Sequence, residues 1–358
     1  MYDYIIVGSG LGGICFAETA LSNGMQIVVF NDDSQKASYV AAGLYNPVIL
    51  KRFTEVWQSK EQLKLLDEFY SQLEQKLNVK FDIKIPLLRK YFSIEEQNNW
   101  FTASDKLGLT DYLSTTIVNK KYSSIDSPYG YGEVLRTGYV DTKLLIDSYI
   151  NYLSKNNSYV KETFKHSEII FHDDFVQYKD IKARHIVFAE GFGMLLNPFF
   201  NSLPLDGAKG ELLLIKAPNL DLDVIIKTSI FVLPVGNDLY KVGATYNWTD
   251  KTNTPTKEGK DELLKELRDL IQCDFEVLDH YAGVRPTVKD RKPMLGTHPI
   301  HKNLHLLNGL GTRGVMLAPS MAKMLFEHIE HQVELDSYVN INRFKNGFSN
   351  LYQNEQKD

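Results

Sequence analysis

The chain opens on a run with no polar break: Tyr4, Ile5, Ile6 and Val7 in succession, the pattern of a strand buried on both faces. At residue 8 the run gives way to Gly8-Ser9-Gly10-Leu11-Gly12-Gly13, and then to apolar positions at helical spacing. That order predicts a strand over 3–7, a turn, and a helix over 11–22 stopped by Gly24 in the left-handed region. A second strand is expected over 26–30. Leu63, Leu66, Phe69, Tyr70, Leu73 and Leu77 recur with a helical period and predict a helix over 58–77. Asp141 reads as the N-cap of a helix reaching about residue 153. Residues 181–191 read as a buried strand ending in the turn glycine Gly191. Residues 231–235 and 240–248 flank Gly236-Asn237-Asp238, a hairpin signal, and strict alternation puts Tyr240, Val242, Ala244, Tyr246 and Trp248 on one face. A charged amphipathic helix over 257–272, a short strand over 304–307 and a helix over 316–330 complete the pattern.

The first turn carries chemistry. Gly8, Gly10 and Gly13 have the G-x-G-x-x-G spacing, directly after a strand and opening a helix. The first glycine permits the tight turn, the second lets backbone approach a pyrophosphate, and the third lets the helix pack close to the strand. The helix then aims its N-terminal amides at the phosphates. Asn31 lies eighteen residues after Gly13, where an acidic residue normally bonds the adenosine ribose. Asn31 can still accept from one hydroxyl, and Asp32 is the next acid. This spacing serves NAD and FAD alike.

Composition narrows the rest. Of 358 residues, 43% are hydrophobic and 24% charged, a globular balance. The net charge of -5 comes without any Lys/Arg run longer than a pair such as Lys51-Arg52, which disfavours a nucleic-acid partner. No run of eighteen apolar residues is present, so no membrane span is expected, and the N-terminus enters a strand without a leader pattern. Two cysteines exclude a disulfide framework and favour a cytoplasmic location. His298, His301 and His305 hint at a metal, but Pro299 breaks any helical face there and no anionic ligand accompanies them, so no metal is expected.

Two late segments complete the picture: Gly283-Val284-Arg285-Pro286 running on to Gly296, and Gly309-Leu310-Gly311-Thr312-Arg313-Gly314-Val315 running on to Pro319. The second is a glycine loop entering a helix, and its positive end suits the edge of a flat ring that gains negative charge on reduction. Together with the N-terminal turn, these segments resemble the D-amino-acid oxidase family of flavoenzymes, glycine oxidase and sarcosine oxidase among them. Ala41-Ala42-Gly43 is similar to the family's flavin-facing stretch.

The resemblance implies an α/β, two-domain fold: a Rossmann-like FAD-binding domain with an interleaved substrate domain on a mixed or antiparallel sheet. The expected limits are 1–55, 138–215 and 296–345 for FAD, 56–137 and 216–295 for substrate, and a flexible tail over 346–358. It places FAD against Gly8, Gly10, Leu11, Gly13, Asn31, Asp32, Ala42, Gly43, Gly191, Gly309, Gly311, Thr312, Arg313, Gly314 and Val315. No cysteine follows Cys273 to attach the flavin, so FAD is expected to be non-covalent.

In the family, the arginine of the G-x-R-P segment grips the substrate carboxylate, here Arg285. Its planar fork suits two parallel hydrogen bonds to one carboxylate. A tyrosine on the hairpin touches substrate, and Tyr246 matches it best. The expected reaction is oxidation of the C–N bond of an amino acid or secondary amine that carries a carboxylate. A hydride would pass from the α-carbon to flavin N5, the imine would be hydrolysed, and O2 or another acceptor would reoxidise the flavin. An alternative is similarity to the oxidase domain of the bifunctional tRNA wobble-uridine modification enzyme, carried by Gly43-Leu44-Tyr45-Asn46-Pro47, the helix over 58–77 that follows, and Gly309-Leu310-Gly311-Thr312-Arg313-Gly314; the acidic balance disfavours tRNA. A further alternative is an FAD-holding module without turnover.

Overall fold

The computed structural model describes residues 1–347; from position 348 onward, the tail expected over 346–358 falls outside the described residues. The chain divides into two compact units. The first comprises Met1–Ala41, Thr142–Ala208 and Val284–Asp358, and the second Ala42–Asp141 and Lys209–Gly283. Compared with the expected limits, 42–55, 138–141 and 209–215 fall in the second unit and 284–295 in the first. The first two of these shifts have a direct cause: the strand Gly138–Val140 is hydrogen-bonded between Leu44–Tyr45 and Asp82–Lys84. The other two divisions fall inside the strands Leu205–Lys216 and Glu276–Val288, where no break in the hydrophobic pattern marks them.

The first unit is built on five parallel strands in the order Tyr159–Lys161, Ile27–Asn31, Tyr2–Val7, Ile181–Phe188, Leu304–Asn308. Parallel strands need crossovers, and the helix Leu11–Ser22 supplies the first. Both faces of the sheet are covered, which is why Tyr4, Ile5, Ile6 and Val7 are all buried. Tyr4 packs edge-on to Phe16 with ring centroids 5.1 Å apart, and Phe16 meets Phe326 of the helix Gly314–His331 at 6.4 Å. Ile5, Val7, Val28, Phe30, Ile186, Phe188, Leu304 and Leu306 line the opposite face. Each such side chain contributes about 1.5–3 kcal/mol on full burial. The helices begin and end close to their expected limits, at Leu11–Ser22, Ser59–Leu77 and Thr142–Lys155. Among the described residues no helix is long and apolar enough to cross a membrane.

The second unit carries a mixed sheet of eight strands, in which Ile225–Lys227 runs parallel to Leu87–Lys90 and antiparallel to Phe231–Gly236. Leu213, Ile215, Val232, Tyr240 and Val242 form its core with Leu263, Leu267 and Leu270 of the helix Lys257–Leu270.

One expectation fails here: Tyr246 and Trp248 do not share a strand face with Tyr240 and Val242. The strand stops at Gly243, where the register pairs Leu212 with Gly243. The next bridge pairs Lys209 with Asn247 rather than with residue 246, so one extra residue is inserted. Because side chains alternate with a period of two, a one-residue insertion reverses which side chains face in. Thr245 is buried, whereas Tyr246 is 55% and Trp248 38% exposed.

The histidines singled out for a metal serve the fold. His298 Nδ1 accepts from the amides of Ile300 and His301, and His305 bonds Thr297 on one side and His185 on the other. Burial pushes His298 and His185 down to about 4, and His305 well below the ordinary histidine value. In that window the unfolded chain binds protons that the folded chain does not. The stability from these groups is therefore complete above about pH 6.5 and is lost as pH falls toward 4. Urea unfolding at pH 5 should show a loss of about 2 kcal/mol for each of His298 and His185 relative to pH 7. His298→Asn, which keeps an acceptor for the two amides, should flatten the profile; an unchanged slope would refute the assignment.

Candidate cofactor and substrate site

Because five strands of the first unit are parallel, their carboxyl ends lie along one edge of the sheet, where open α/β sheets take ligands. Val7 runs into Gly8, the second strand ends at Asn31, Phe188 leads to Gly191, and Asn308 leads to Gly309. Four segments far apart in sequence therefore meet at one edge. They are laced together: Gly8 N donates to Phe30 O (2.8 Å), Ala189 N to Val7 O (2.8 Å), and Asn308 Nδ2 to Gly191 O (2.9 Å).

The first turn is as tight as backbone allows. A Cβ on Gly13 would stand 1.9 Å from the carbonyl oxygen of Gly8, closer than any side chain permits. The helix beginning at Leu11 is thereby drawn onto the strand, and its first-turn amides, which have no partner within the helix, face the sheet edge. Leu11 N donates to Ser38 Oγ at 3.2 Å, and the same hydroxyl lies 3.0 Å from where a Cβ of Gly10 would sit. Ser38 was not among the expected residues. It lies in a loop without periodicity, so no pattern marks it.

Asn31 is held at the end of its strand. Its Oδ1 accepts from Ser9 N at 3.4 Å and its Nδ2 donates to Asp33 Oδ1 at 2.9 Å. The carboxylate bonded to Asn31 is thus Asp33, itself paired with Lys161 at 2.6 Å. Asp32 turns to the Ser34 amide (3.0 Å). Burial raises the Asp32 carboxyl, but hydrogen bonds from Ser34 and Thr163 outweigh this and hold it below the usual range.

The late glycine loop sits on the same edge. Gly309 is packed so closely on Val288 that a Cβ would stand 2.5 Å from Val288 Cγ2, and Gly309 N donates to Asn308 Oδ1 at 2.7 Å. Asn308, which bridges two of the glycine turns, was also missed; its place just before a glycine was the available signal. Around Gly311 nothing lies within 4 Å of a would-be Cβ, so this surface is clear for a flat ring. Thr312 follows, Arg313 caps the helix Gly314–His331 with Met316 N and Leu317 N donating to its carbonyl, and Val315 is buried in the first turn. That helix starts two residues earlier than expected. Gly314 faces the Leu11 side chain, so the N-termini of the two helices are neighbours.

Arg285 belongs to this unit too. Pro286 O accepts from Gly311 N at 3.0 Å, and Pro286 Cγ lies 4.0 Å from where a Cβ of Gly191 would be. Alternation puts Arg285 on the strand face opposite Pro286 and Val288, which do the packing against the glycine loops. Asp290, the nearest acid in sequence, bonds Arg343 at 2.8 and 3.4 Å. The structure thus brings together Gly8, Gly10, Leu11, Gly13, Asn31, Asp32, Gly191, Arg285 and the loop 309–315 in one unit. Ala42, Gly43 and Tyr246 belong to the other. There, a Cβ on Gly43 would stand 1.8 Å from Val140 O, so the close approach of the neighbouring strand excludes any larger residue.

The residues fit FAD: a turn that only glycine can make, helix amides at the strand ends, and a clear surface at the late loop. A family model described as "DAO: FAD dependent oxidoreductase" matches residues 3–328. Glycine oxidase of Bacillus subtilis (strain 168) is 25% identical over 251 residues, 64% of this chain and 67% of that protein. The tRNA 5-methylaminomethyl-2-thiouridine biosynthesis bifunctional protein MnmC of Legionella pneumophila (strain Corby) is 22% identical over 92% of this chain, which spans 54% of its length. The crystal structure of glycine oxidase from Bacillus cereus ATCC 14579 superposes with a TM-score of 0.76 at 20% identity, covering 93% of this chain and 96% of that one.

Proposed function

The chain belongs to the DAO family of FAD-dependent oxidoreductases, and from that premise we propose that it oxidises the C–N bond of an amino acid or secondary amine that carries a carboxylate. The observation that supports this reading is that Pro286, the neighbour of Arg285, accepts a hydrogen bond from Gly311 of the clear glycine loop. When bound, FAD supplies the two-electron acceptor, with O2 or another oxidant taking the electrons onward. The protein's own part is positioning and electrostatics. The Leu11 helix and Ser38 hold the pyrophosphate, Asn31 and its Asp33 partner meet the ribose, and the Gly314 helix stabilises negative charge at the ring. Arg285 fixes the substrate carboxylate, and Tyr246 borders the substrate. The FAD is bound without a covalent link.

The test is anaerobic mixing of the yellow protein with glycine, sarcosine, proline and D-amino acids. Bleaching of the flavin's visible band by at least one of them is expected, and bleaching by none would overturn the reading in favour of a module without turnover. A second reading, action on a carboxymethylamino group of tRNA, is favoured by one observation, the match of the bifunctional protein over 92% of this chain. Salt-dependent binding of tRNA would support it, and indifference to tRNA would remove it.

A further inference from the structure

Two residues of one strand bind the segment that carries Tyr246 at six positions. Lys209 and Glu211 lie two residues apart on Leu205–Lys216, on the same face. The Lys209 side chain is fully buried; its ammonium donates to Asp250 Oδ2 at 2.5 Å, to Thr252 Oγ1 at 3.3 Å and to the carbonyl of Thr254. Its backbone exchanges both hydrogen bonds with Asn247, at 2.8 and 3.0 Å. Glu211 accepts from the Thr256 amide (2.9 Å) and hydroxyl (2.7 Å), and its own amide donates to Thr245 Oγ1 at 2.9 Å. The two charges are 3.6 Å apart, and His280 Nε2 approaches Glu211 at 2.8 Å, off the direction of a hydrogen bond.

The segment is thus attached at 245, 247, 250, 252, 254 and 256 to Lys209 and Glu211. A buried ammonium is tolerated only when every donor is matched; a buried ion pair replaced as a whole by apolar side chains is often no less stable, whereas loss of one partner alone is destabilising. What the ion pair adds is a unique register, and the register here is the shifted one that turns Tyr246 and Trp248 outward.

We propose that Lys209 is a positioning residue, whose ammonium fixes the 245–256 segment so that Tyr246 and Trp248 are presented in a single conformation to the substrate. This rests on the reading of Tyr246 as a substrate contact. The test compares the holoenzyme with Lys209→Met and, from the other end of the same contact, Asp250→Asn. Tryptic cleavage after Lys251, taken relative to the same variant unfolded in urea, should accelerate at least about tenfold in either variant. In anaerobic reduction by glycine, the half-saturating concentration should rise about tenfold with the limiting rate changed less than about threefold. In a Tyr246→Ala background, Lys209→Met should add less than about twofold, because both changes remove one contact.

Unchanged cleavage in the variants, or a full effect of Lys209→Met without Tyr246, would overturn the proposal. If Lys209→Met does not fold, Asp250→Asn alone decides it. Failure of the wild-type flavin to bleach sinks the proposed reaction instead, while cleavage still reports on the pin.

Discussion

Gly13→Ala should yield a colourless protein, whereas Gly24→Ala should remain yellow. Alanine at position 13 gains about 1 kcal/mol of helix propensity. Its Cβ, however, falls 1.9 Å from the carbonyl oxygen of Gly8, and that neighbour is backbone. The oxygen has little room to withdraw, because Gly8 N is bonded to Phe30 O and the adjacent Val7 O to Ala189 N. The helix must move instead, by about 1 Å or more, and forced overpacking of this kind costs about 1–3 kcal/mol. The displaced atoms are the amides proposed to meet the phosphates, so FAD affinity should fall about 100-fold, equal to about 2.7 kcal/mol. Gly24 is the control. It has a positive φ of 78°, and nothing lies within 4 Å of a would-be Cβ. Alanine there should cost about 1 kcal/mol of stability and leave FAD affinity within about twofold. Titration of flavin fluorescence measures both constants. Equal affinity in Gly13→Ala and wild type would remove the cofactor from this turn.

That turn was legible because its constraint is local. Gly13 answers to the Gly8 carbonyl within one strand, turn and helix, so spacing announces it, although Gly8 and Gly10 also meet Ala189 and Ser38. The parallel strands were legible for a related reason, as burial on both faces leaves an unbroken apolar run at Tyr4 to Val7. Ser38 and Asn308 were not, since each acts on backbone distant in sequence, Ser38 from a loop and Asn308 from the very end of its strand. The hairpin shows the other limit. Alternation from Tyr240 through Trp248 is intact in the sequence, yet a single inserted residue, paired through Lys209 and Asn247, reverses it. Nothing in the 240–248 run encodes that insertion; the residues that bond the shifted segment, Lys209 and Glu211, lie about thirty residues earlier. The divisions between units were displaced for the same kind of reason. Two fall within continuous strands, and the other two follow from the pairing of Gly138–Val140 with Leu44–Tyr45.

Arg285→Ala should lower kcat/KM for a carboxylate-bearing amine by about 100- to 10,000-fold while leaving FAD affinity unchanged. The guanidinium offers two parallel, charge-assisted hydrogen bonds to one carboxylate, each worth about 1.5–3 kcal/mol, and each 1.36 kcal/mol is tenfold in rate. The loss of cofactor that dominates Gly13→Ala should be absent. Packing against Gly191 and Gly309 comes from Pro286 and Val288, on the strand face opposite Arg285. Arg285→Lys keeps the charge but not the fork, so an intermediate loss is expected. The decisive comparison varies the substrate as well as the protein. With glycine the wild type should far exceed the alanine variant, whereas with glycine amide or ethylamine, which lack the carboxylate, the two should reduce their flavin at similar rates. If instead Arg285→Ala were bleached by glycine as readily as the wild type, the carboxylate would be held elsewhere, and Arg285 would be a structural residue of the strand Glu276–Val288.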